Sequence, residues 1–279
     1  MKVHRSISTQ VWLFILISSL VFLVLCSQLG GRLGLFIGLM AALTFHVLVF
    51  VWGEGLLLRN FQLTPIEGRD PWGLNARLEK WSQELKIAKP QLYILKSDLP
   101  TAFSFEVPWR RPLVTLSETL LRNFSREEIE MVLAHQLCQL RHRQTLRFGV
   151  MSLVGNILAQ FAVRLDKIWI PNFVFGRKQN FFLTLFSPIL YLLIRFSFSS
   201  MDQYASDRNA AQLLGSRERL GRLLWRLESW SLTYPMEVPP ATSQLFIVNP
   251  ERRLQKNQLL QFHPTTRSRL EKLVGSYPL

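Results

Sequence analysis

Two long apolar runs open the chain and dominate its hydrophobic pattern. The first covers Val11–Leu29, the second covers Leu33–Trp52, and neither contains a Lys, Arg, Asp or Glu residue. A helix needs roughly 20 apolar residues to cross a bilayer, so each run is long enough. The short Gly30–Arg32 connection favours a tight turn. The pattern predicts a transmembrane hairpin over residues 11–52, preceded by a basic N-terminus over residues 1–10.

The basic start of the chain also resembles the beginning of a secretory signal peptide. However, no cleavage site of small residues follows the first apolar run, and a second run comes at once. Signal peptides carry one short apolar region and are then cut. We therefore expect a retained membrane anchor.

Residues 53–146 have a soluble character, with short apolar repeats between polar residues. The expected elements are an amphipathic helix over Ala76–Leu85, strands over Gln91–Leu95 and Leu113–Leu116, a short extended piece over Ala102–Phe105, and a short helix over Ser117–Asn123. Prolines bound the strand candidates, as is typical of short strands. We expect this segment to form the first part of a soluble domain.

A second pair of apolar runs follows, at Phe148–Val163 and Phe181–Ile194, within a second membrane hairpin predicted over residues 147–199. Both runs are short for a full crossing. If every run spans the bilayer from a cytoplasmic N-terminus, the four bases between these runs end up outside, against the positive-inside rule. Whether this hairpin spans the bilayer or lies at its surface stays open.

Residues 200–279 are again soluble in character and complete the predicted domain. A helix over Met201–Leu214 is followed by Gly215, a typical stop signal, and a basic amphipathic helix covers Glu218–Trp230. A short helix is expected in Arg267–Leu273 at the end of the chain. The two soluble segments then meet at the membrane surface, where the second hairpin leaves and returns.

The stretch from Ser125 to Thr145 predicts one long helix and carries the candidate chemistry. Ser125 and Glu128 have the spacing of a capping box. Within the helix, His135-Gln136-Leu137-Cys138-Gln139 has the spacing of the zinc-peptidase motif H-E-x-x-H. That motif places two imidazoles on one helix face, with a glutamate beside them as general base. Here glutamines stand at the glutamate position and at the second histidine position.

The charge and cysteine content of the chain indicate which classes of partner to expect. The formal net charge is +14 in 279 residues, yet the bases are scattered and form no aromatic-interleaved stripe. With two apolar spans present, a lipid bilayer accounts for this charge better than nucleic acid, which we do not expect as a partner. The two cysteines, Cys26 and Cys138, lie in segments of different character, so a disulfide is not expected.

This order of motifs resembles the HtpX-like membrane zinc endopeptidases, a family of gluzincins. The likeness covers nearly the whole chain. The resemblance rests on the order of several features along the chain. In the first half these are the N-terminal hairpin, Thr101–Ser104 in place of an N-A-F-A segment, and the motif helix. In the second half they are the second hairpin, Gln203–Asp207 in place of E-x-x-A-D, Asn249-Pro250, and His263-Pro264 leading to Arg267–Leu273. The resemblance implies an α-rich α+β membrane protein with a small sheet, in which the second hairpin is inserted into a gluzincin-like metalloprotease domain.

Carried over residue by residue, the resemblance places the family's zinc site on five positions. His135 matches the first zinc ligand, Gln139 the second and Gln203 the third. Gln136 stands at the position of the general base, and Asp207 matches an aspartate that supports the ligands in the family. One of three metal ligands is kept and the base is not.

An amide oxygen is a poorer zinc donor than imidazole or carboxylate and brings no charge, and a neutral amide cannot take up and return a proton. Nearby residues do not replace these groups. His142 lies two helical turns from His135, and Cys138 projects away from the second ligand position. His263 resembles a structural family histidine, and His46 lies in the second span. We expect no catalytic residue, no zinc and no other cofactor.

The resulting interpretation is a membrane pseudoprotease that acts as a binding, regulatory or scaffolding subunit. The alternative is an active metalloendopeptidase that holds zinc through a non-standard ligand set. A third class is a basic membrane anchor that contacts anionic lipid or nucleic acid. Family substrates are thought to add to a strand edge, which here corresponds to Ala102, Phe103, Ser104 and Phe105.

The expected partners are the bilayer and an unidentified membrane or peptide protein, with a homo- or hetero-oligomer open. The family resemblance and the basic N-terminus predict a multi-pass protein of the inner (cytoplasmic) membrane, with its soluble domain facing the cytoplasm.

Overall fold

The fold is taken from a computed structural model of the chain. It describes residues 9–66, 70, 73–107, 110–141, 144–169, 181–182, 184–185, 188, 200–236, 238, 242–250 and 264–275. Helices predominate, and one small mixed sheet accompanies them, which confirms the α-rich α+β class. Most of the predicted run Phe181–Ile194 lies outside the described residues. His142 and His263 also lie outside them.

The N-terminal apolar segment folds back on itself. Helix α1 (Thr9–Val47) consists of two arms joined at Gly31, whose φ of 53° is one that glycine adopts without strain. Ser18 Oγ and His46 Nε2 lie 3.0 Å apart, although a straight helix would separate them by roughly 42 Å. Within the described residues, Trp12–Trp52 is the only helical stretch that is long and apolar enough to cross a membrane.

The chain then leaves the hairpin through a short π-helical segment (Leu48–Trp52) and α2 (Gly53–Asn60). The following elements build the first part of the domain. They are β1 (Thr64–Pro65), α3 (Leu74–Glu84), β2 (Gln91–Leu95), β3 (Ala102–Phe105), β4 (Leu113–Ser117) and α4 (Glu118–Asn123). The predicted bounds of β2 and β3 are confirmed, and Ser117, predicted to begin α4, is its N-cap and accepts a hydrogen bond from the amide of Leu120.

The strands form one sheet in the order β1-β2-β4-β3. β2 and β4 are parallel, β3 is antiparallel to β4, and β1 is antiparallel to β2. β3 therefore lies at the edge of the sheet, beside the central helix α5 (Arg126–Arg141).

Helix α5 begins as the sequence predicts, with a capping box. Ser125 Oγ accepts a hydrogen bond from the amide of Glu128, and the Glu128 carboxylate accepts one from the amide of Ser125. The predicted helix over Ser125–Thr145 is confirmed as far as Arg141; residues 142–143 lie outside the described residues, and helix α6 (Gln144–Trp169) is described after them. Helix α6 contacts β3 and α1. Helix α6 includes the predicted run Phe148–Val163.

The C-terminal part adds α7 (Ser200–Leu214), α8 (Arg217–Thr233), a 3-10 turn (Ser243–Leu245) and α9 (Thr266–Leu273). Gly215 follows α7 at a φ of 72°, which confirms it as the predicted stop signal. Helices α5 and α7 pack side by side, and α8 and α9 cover α7. One apolar core surrounds α5, and a second lies between the sheet, α6 and the end of the hairpin.

Candidate functional site

Helix α5 is buried on all sides along its second half. Every residue from Met131 to Leu140 is buried, because α3, β3 and α7 pack around the helix. His135, Gln136 and Gln139 therefore lie in the protein interior. Buried polar groups are costly unless they find hydrogen-bond partners, so their contacts decide what this site can do.

His135 contacts a buried ion pair. Its Nε2 atom lies 2.9 Å from Asp207 Oδ1. Arg269, from α9, donates from Nε to Asp207 Oδ2 at 2.8 Å and from Nη2 to Asp207 Oδ1 at 2.6 Å. The same Nη2 lies 3.3 Å from His135 Nε2. All three side chains are buried, so a bidentate carboxylate–guanidinium pair occupies the position beside the imidazole.

The protonation states follow from these contacts. Burial alone would raise the pKa of Asp207, but the charge and hydrogen bonds of Arg269, together with His135, lower it well below its usual range. Burial lowers the pKa of His135, and the Asp207 carboxylate opposes that effect only in part. At neutral pH the cluster is thus a carboxylate, a guanidinium and a neutral imidazole. Nε2 donates to Asp207, which leaves the lone pair on Nδ1.

The three glutamines have different surroundings. Gln139 Oε1 accepts a hydrogen bond from Ser104 Oγ of β3 at 3.3 Å. Gln136 is fully buried, and neither its Oε1 nor its Nε2 has a hydrogen-bond partner among the described residues. Gln203 is fully buried on α7, one helical turn before Asp207. The structure thus pairs His135 with Asp207 and Gln139 with Ser104.

The outer edge of β3 is covered. Phe103 forms an antiparallel bridge with Phe246, and the amide of Ile247 donates to the carbonyl of Ala102 at 3.0 Å. Arg269 Nη1 donates in turn to the carbonyl of Ile247 at 2.6 Å. All four residues of β3 are buried. A peptide could pair with the predicted edge at Ala102–Phe105 only after residues 246–247 move away.

No three His, Cys, Asp or Glu side chains in the described part of the chain lie close enough together to hold a metal ion. Cys138 offers no thiolate, because burial raises its pKa to about 12 in spite of the nearby Arg141 charge. Cys138 is fully buried and packs in the apolar core around α5. Both Cys26 and Cys138 are free, as expected.

Arg269 is the residue that sequence reasoning missed. The prediction for Arg267–Leu273 was a helix, and Arg269 had no role in it. A signal was present nonetheless: the buried residues of α9 are Thr266, Arg269, Leu270 and Leu273, with the i, i+3, i+4, i+7 spacing of a core-facing stripe. An arginine inside such a stripe implies a buried acid, and Asp207 is that acid.

Comparison with known proteins agrees with this architecture. The chain is 27% identical over 267 residues to a "Protease HtpX homolog" of Campylobacter concisus, and the aligned region covers 91% of each chain. It is 26% identical over 279 residues to a protein of the same name from Pelotomaculum thermopropionicum, covering 95% of this chain and 97% of the relative.

The crystal structure of S. mikatae Ste24p has a similar fold. Its TM-score is 0.51 at 18% identity, and the match covers 96% of this chain and 67% of that chain. Residues 70–276, from just before α3 to just beyond α9, match the peptidase family M48. On this match, the chain belongs to peptidase family M48.

Proposed function

We propose that this protein is an integral membrane pseudoprotease of the M48 family, a non-catalytic binding, regulatory or scaffolding subunit. One observation carries the proposal: the only histidine at the three metal-ligand positions is bound to a buried Asp207–Arg269 pair, and glutamines hold the other positions. The domain keeps the fold of a protease, but its interior lacks the metal ligands and the general base that hydrolysis requires.

The residues present do not fit a catalytic zinc ion. His135 is the only imidazole at these positions: its Nε2 donates to Asp207 and lies 3.3 Å from the Arg269 guanidinium, which leaves Nδ1, with no partner among the described residues, as its one donor atom toward a metal. A second cation at that position would be repelled by the guanidinium in a buried, low-dielectric site. Gln139 and Gln203 bring no negative charge to offset that repulsion, whereas catalytic zinc sites use imidazole, thiolate or carboxylate ligands.

The general base is also missing. Gln136 is a neutral amide and cannot accept a proton from water at neutral pH. Loss of a positioned base typically costs about 10²–10⁴-fold in rate. Cys138 cannot replace it, since its thiol stays protonated at neutral pH. These two deficits, of metal and of base, support a binding role over metallohydrolysis.

The membrane placement belongs to the same proposal. The apolar hairpin in Trp12–Trp52 anchors the chain, and the basic residues before it favour a cytoplasmic N-terminus. The soluble domain then faces the cytoplasm at the inner membrane. A protein partner, or a second copy of the chain, binds the domain or the hairpins there.

The test is the zinc content of the detergent-purified protein, expressed with added zinc. The natural protein is compared with a Gln136→Glu/Gln139→His/Gln203→Glu variant, and a peptide hydrolysis assay is run on both. We expect near-zero zinc and no hydrolysis for the natural protein, and about one zinc per chain for the variant.

The control is His135→Ala in both backgrounds, with size-exclusion profiles to confirm folding. Stoichiometric zinc in the natural protein that disappears in His135→Ala would overturn the proposal and favour the alternative, an endopeptidase with a non-standard ligand set. Near-zero zinc without hydrolysis in the natural protein supports the proposal, whatever the restored variant binds.

A further inference from the structure

A polar cavity of about 390 Å³ lies against the Asp207–Arg269 pair. Its walls come from α7, the first residue of α8, and α9. The lining residues are Met201, Tyr204, Asp207, Arg208, Arg217, Arg269, Lys272 and Leu273. Pockets for small ligands span about 300–1,000 Å³, so this cavity has room for a small molecule or a headgroup.

Three cations at the cavity have no carboxylate partner among the described residues. Arg208, Arg217 and Lys272 are exposed, and none forms an ion pair there. Other arginines of α8 behave differently. Arg219, Arg222 and Arg226 each lie within ion-pair distance of a glutamate. Three cations without a carboxylate partner therefore line one cavity.

The buried floor of the cavity does not offset this charge. Arg269 and Asp207 form a bidentate pair and neutralise each other, and both are buried. The three rim cations thus leave a local charge of about +3. Lys272 Nζ lies 3.8 Å from the centre of the Tyr204 ring, and Tyr204 donates to Ser268 Oγ at 3.1 Å. These contacts hold one rim cation and one wall of the cavity in place.

We propose that this cavity is an anion-binding site for a phosphate group, presented by an anionic lipid headgroup or as free phosphate. Two arginines and a lysine around one concave site supply the charge and the N–H donors that phosphate oxygens accept. The cavity borders Asp207, but none of the zinc-ligand positions His135, Gln139 and Gln203 lines it, and the proposal holds whether or not the protein binds zinc.

The position of the cavity connects it with the membrane. Met201, 66% exposed, stands at its rim and lies seven residues after the apolar run that ends at Ile194. An exposed apolar side chain next to unpaired bases matches the boundary between acyl chains and headgroups, where anionic lipids attract basic residues.

The experiment measures the melting temperature of the full chain in non-ionic detergent. One arm compares sodium phosphate with sodium chloride at equal ionic strength. The other adds lysophosphatidylglycerol or lysophosphatidylcholine to the micelles. At about ten times the dissociation constant, a specific ligand should raise the melting temperature by roughly 3–6 °C.

The variant is Arg208→Gln/Arg217→Gln/Lys272→Gln, with each single change as a fallback if the triple variant is unstable. The matched control is Lys80→Gln/Lys96→Gln/Arg111→Gln, which removes three exposed charges elsewhere. We expect the shift to persist in the control, and the dissociation constant to rise at least about tenfold in the cavity variant.

A shift with inorganic phosphate identifies free phosphate as the source, and a shift with lysophosphatidylglycerol alone identifies the lipid headgroup. Either outcome supports the proposal. It is overturned if no probe raises the melting temperature above its control, or if both charge-reduced variants lose the shift equally.

Discussion

The side-chain amide of Gln136 allows a direct test of how polar groups are paired in the protein interior. It is fully buried on α5, and neither of its polar atoms has a partner in the described part of the chain. A buried polar group without a hydrogen bond costs about 1–3 kcal/mol. Gln136→Met keeps the length of the side chain and removes the unpaired amide. We therefore expect the variant to be more stable than the natural protein by about 1–3 kcal/mol.

The measurement is the melting temperature of the full chain in detergent, followed by intrinsic tryptophan fluorescence. For a protein of this size, stability changes move the melting temperature by roughly 2–4 °C per kcal/mol, so a rise of roughly 2–12 °C is expected.

Gln139→Met is the matched control on the same helix. Gln139 accepts a hydrogen bond from the buried Ser104 hydroxyl, so its removal leaves that donor unsatisfied. This variant should lose about 1 kcal/mol of stability. A clear loss of stability in Gln136→Met would refute the reasoning, because it would mean that the Gln136 amide has a partner that stabilises the fold.

Three further predictions concern the ion pair, the pH dependence and the hairpin. Arg269→Met should destabilise the protein by about 3–5 kcal/mol, because it leaves the Asp207 carboxylate buried without a cation. Adding Asp207→Asn to Arg269→Met should recover part of this loss in the same denaturation assay. The folded-state pKa of His135 lies below its ordinary 6.5, so its contribution to stability is complete above about pH 6.5. As the pH falls below that value, the free energy of unfolding should drop by up to roughly 1.4 kcal/mol per pH unit, and His135→Gln should remove this dependence between pH 6.5 and 5. Asp207 acts in the same direction only below about pH 3.8, its ordinary pKa. Gly34→Ala should lower the melting temperature, because its Cβ would overlap a backbone carbonyl of the opposite arm, whereas Gly30→Ala meets no atom within 4 Å and should not.

The sequence predicts many of the elements because their signals are local. The capping box at Ser125 and Glu128 is present, and the bounds of β2 and β3 agree with the prediction. Gly215 ends α7 at a positive φ, as a C-terminal glycine should. These signals depend on residues within one or two turns of each other, so tertiary contacts do not have to be known to interpret them.

The covering of the β3 edge shows the limit of such signals. Phe246 and Ile247 cover β3 through a bridge that joins positions far apart in the chain, and no local pattern predicts it.

The apolar hairpin, the framework of short strands and helices, and the glutamines at the positions of the base and of two metal ligands can all be predicted from the sequence alone. The surroundings of His135 depend on tertiary contacts that the sequence pattern does not show. Arg269 reaches Asp207 across 62 positions of sequence and Asp207 reaches His135 across 72. The physical reason is that a buried charge must find its partner wherever packing brings one, and no local pattern encodes that partner.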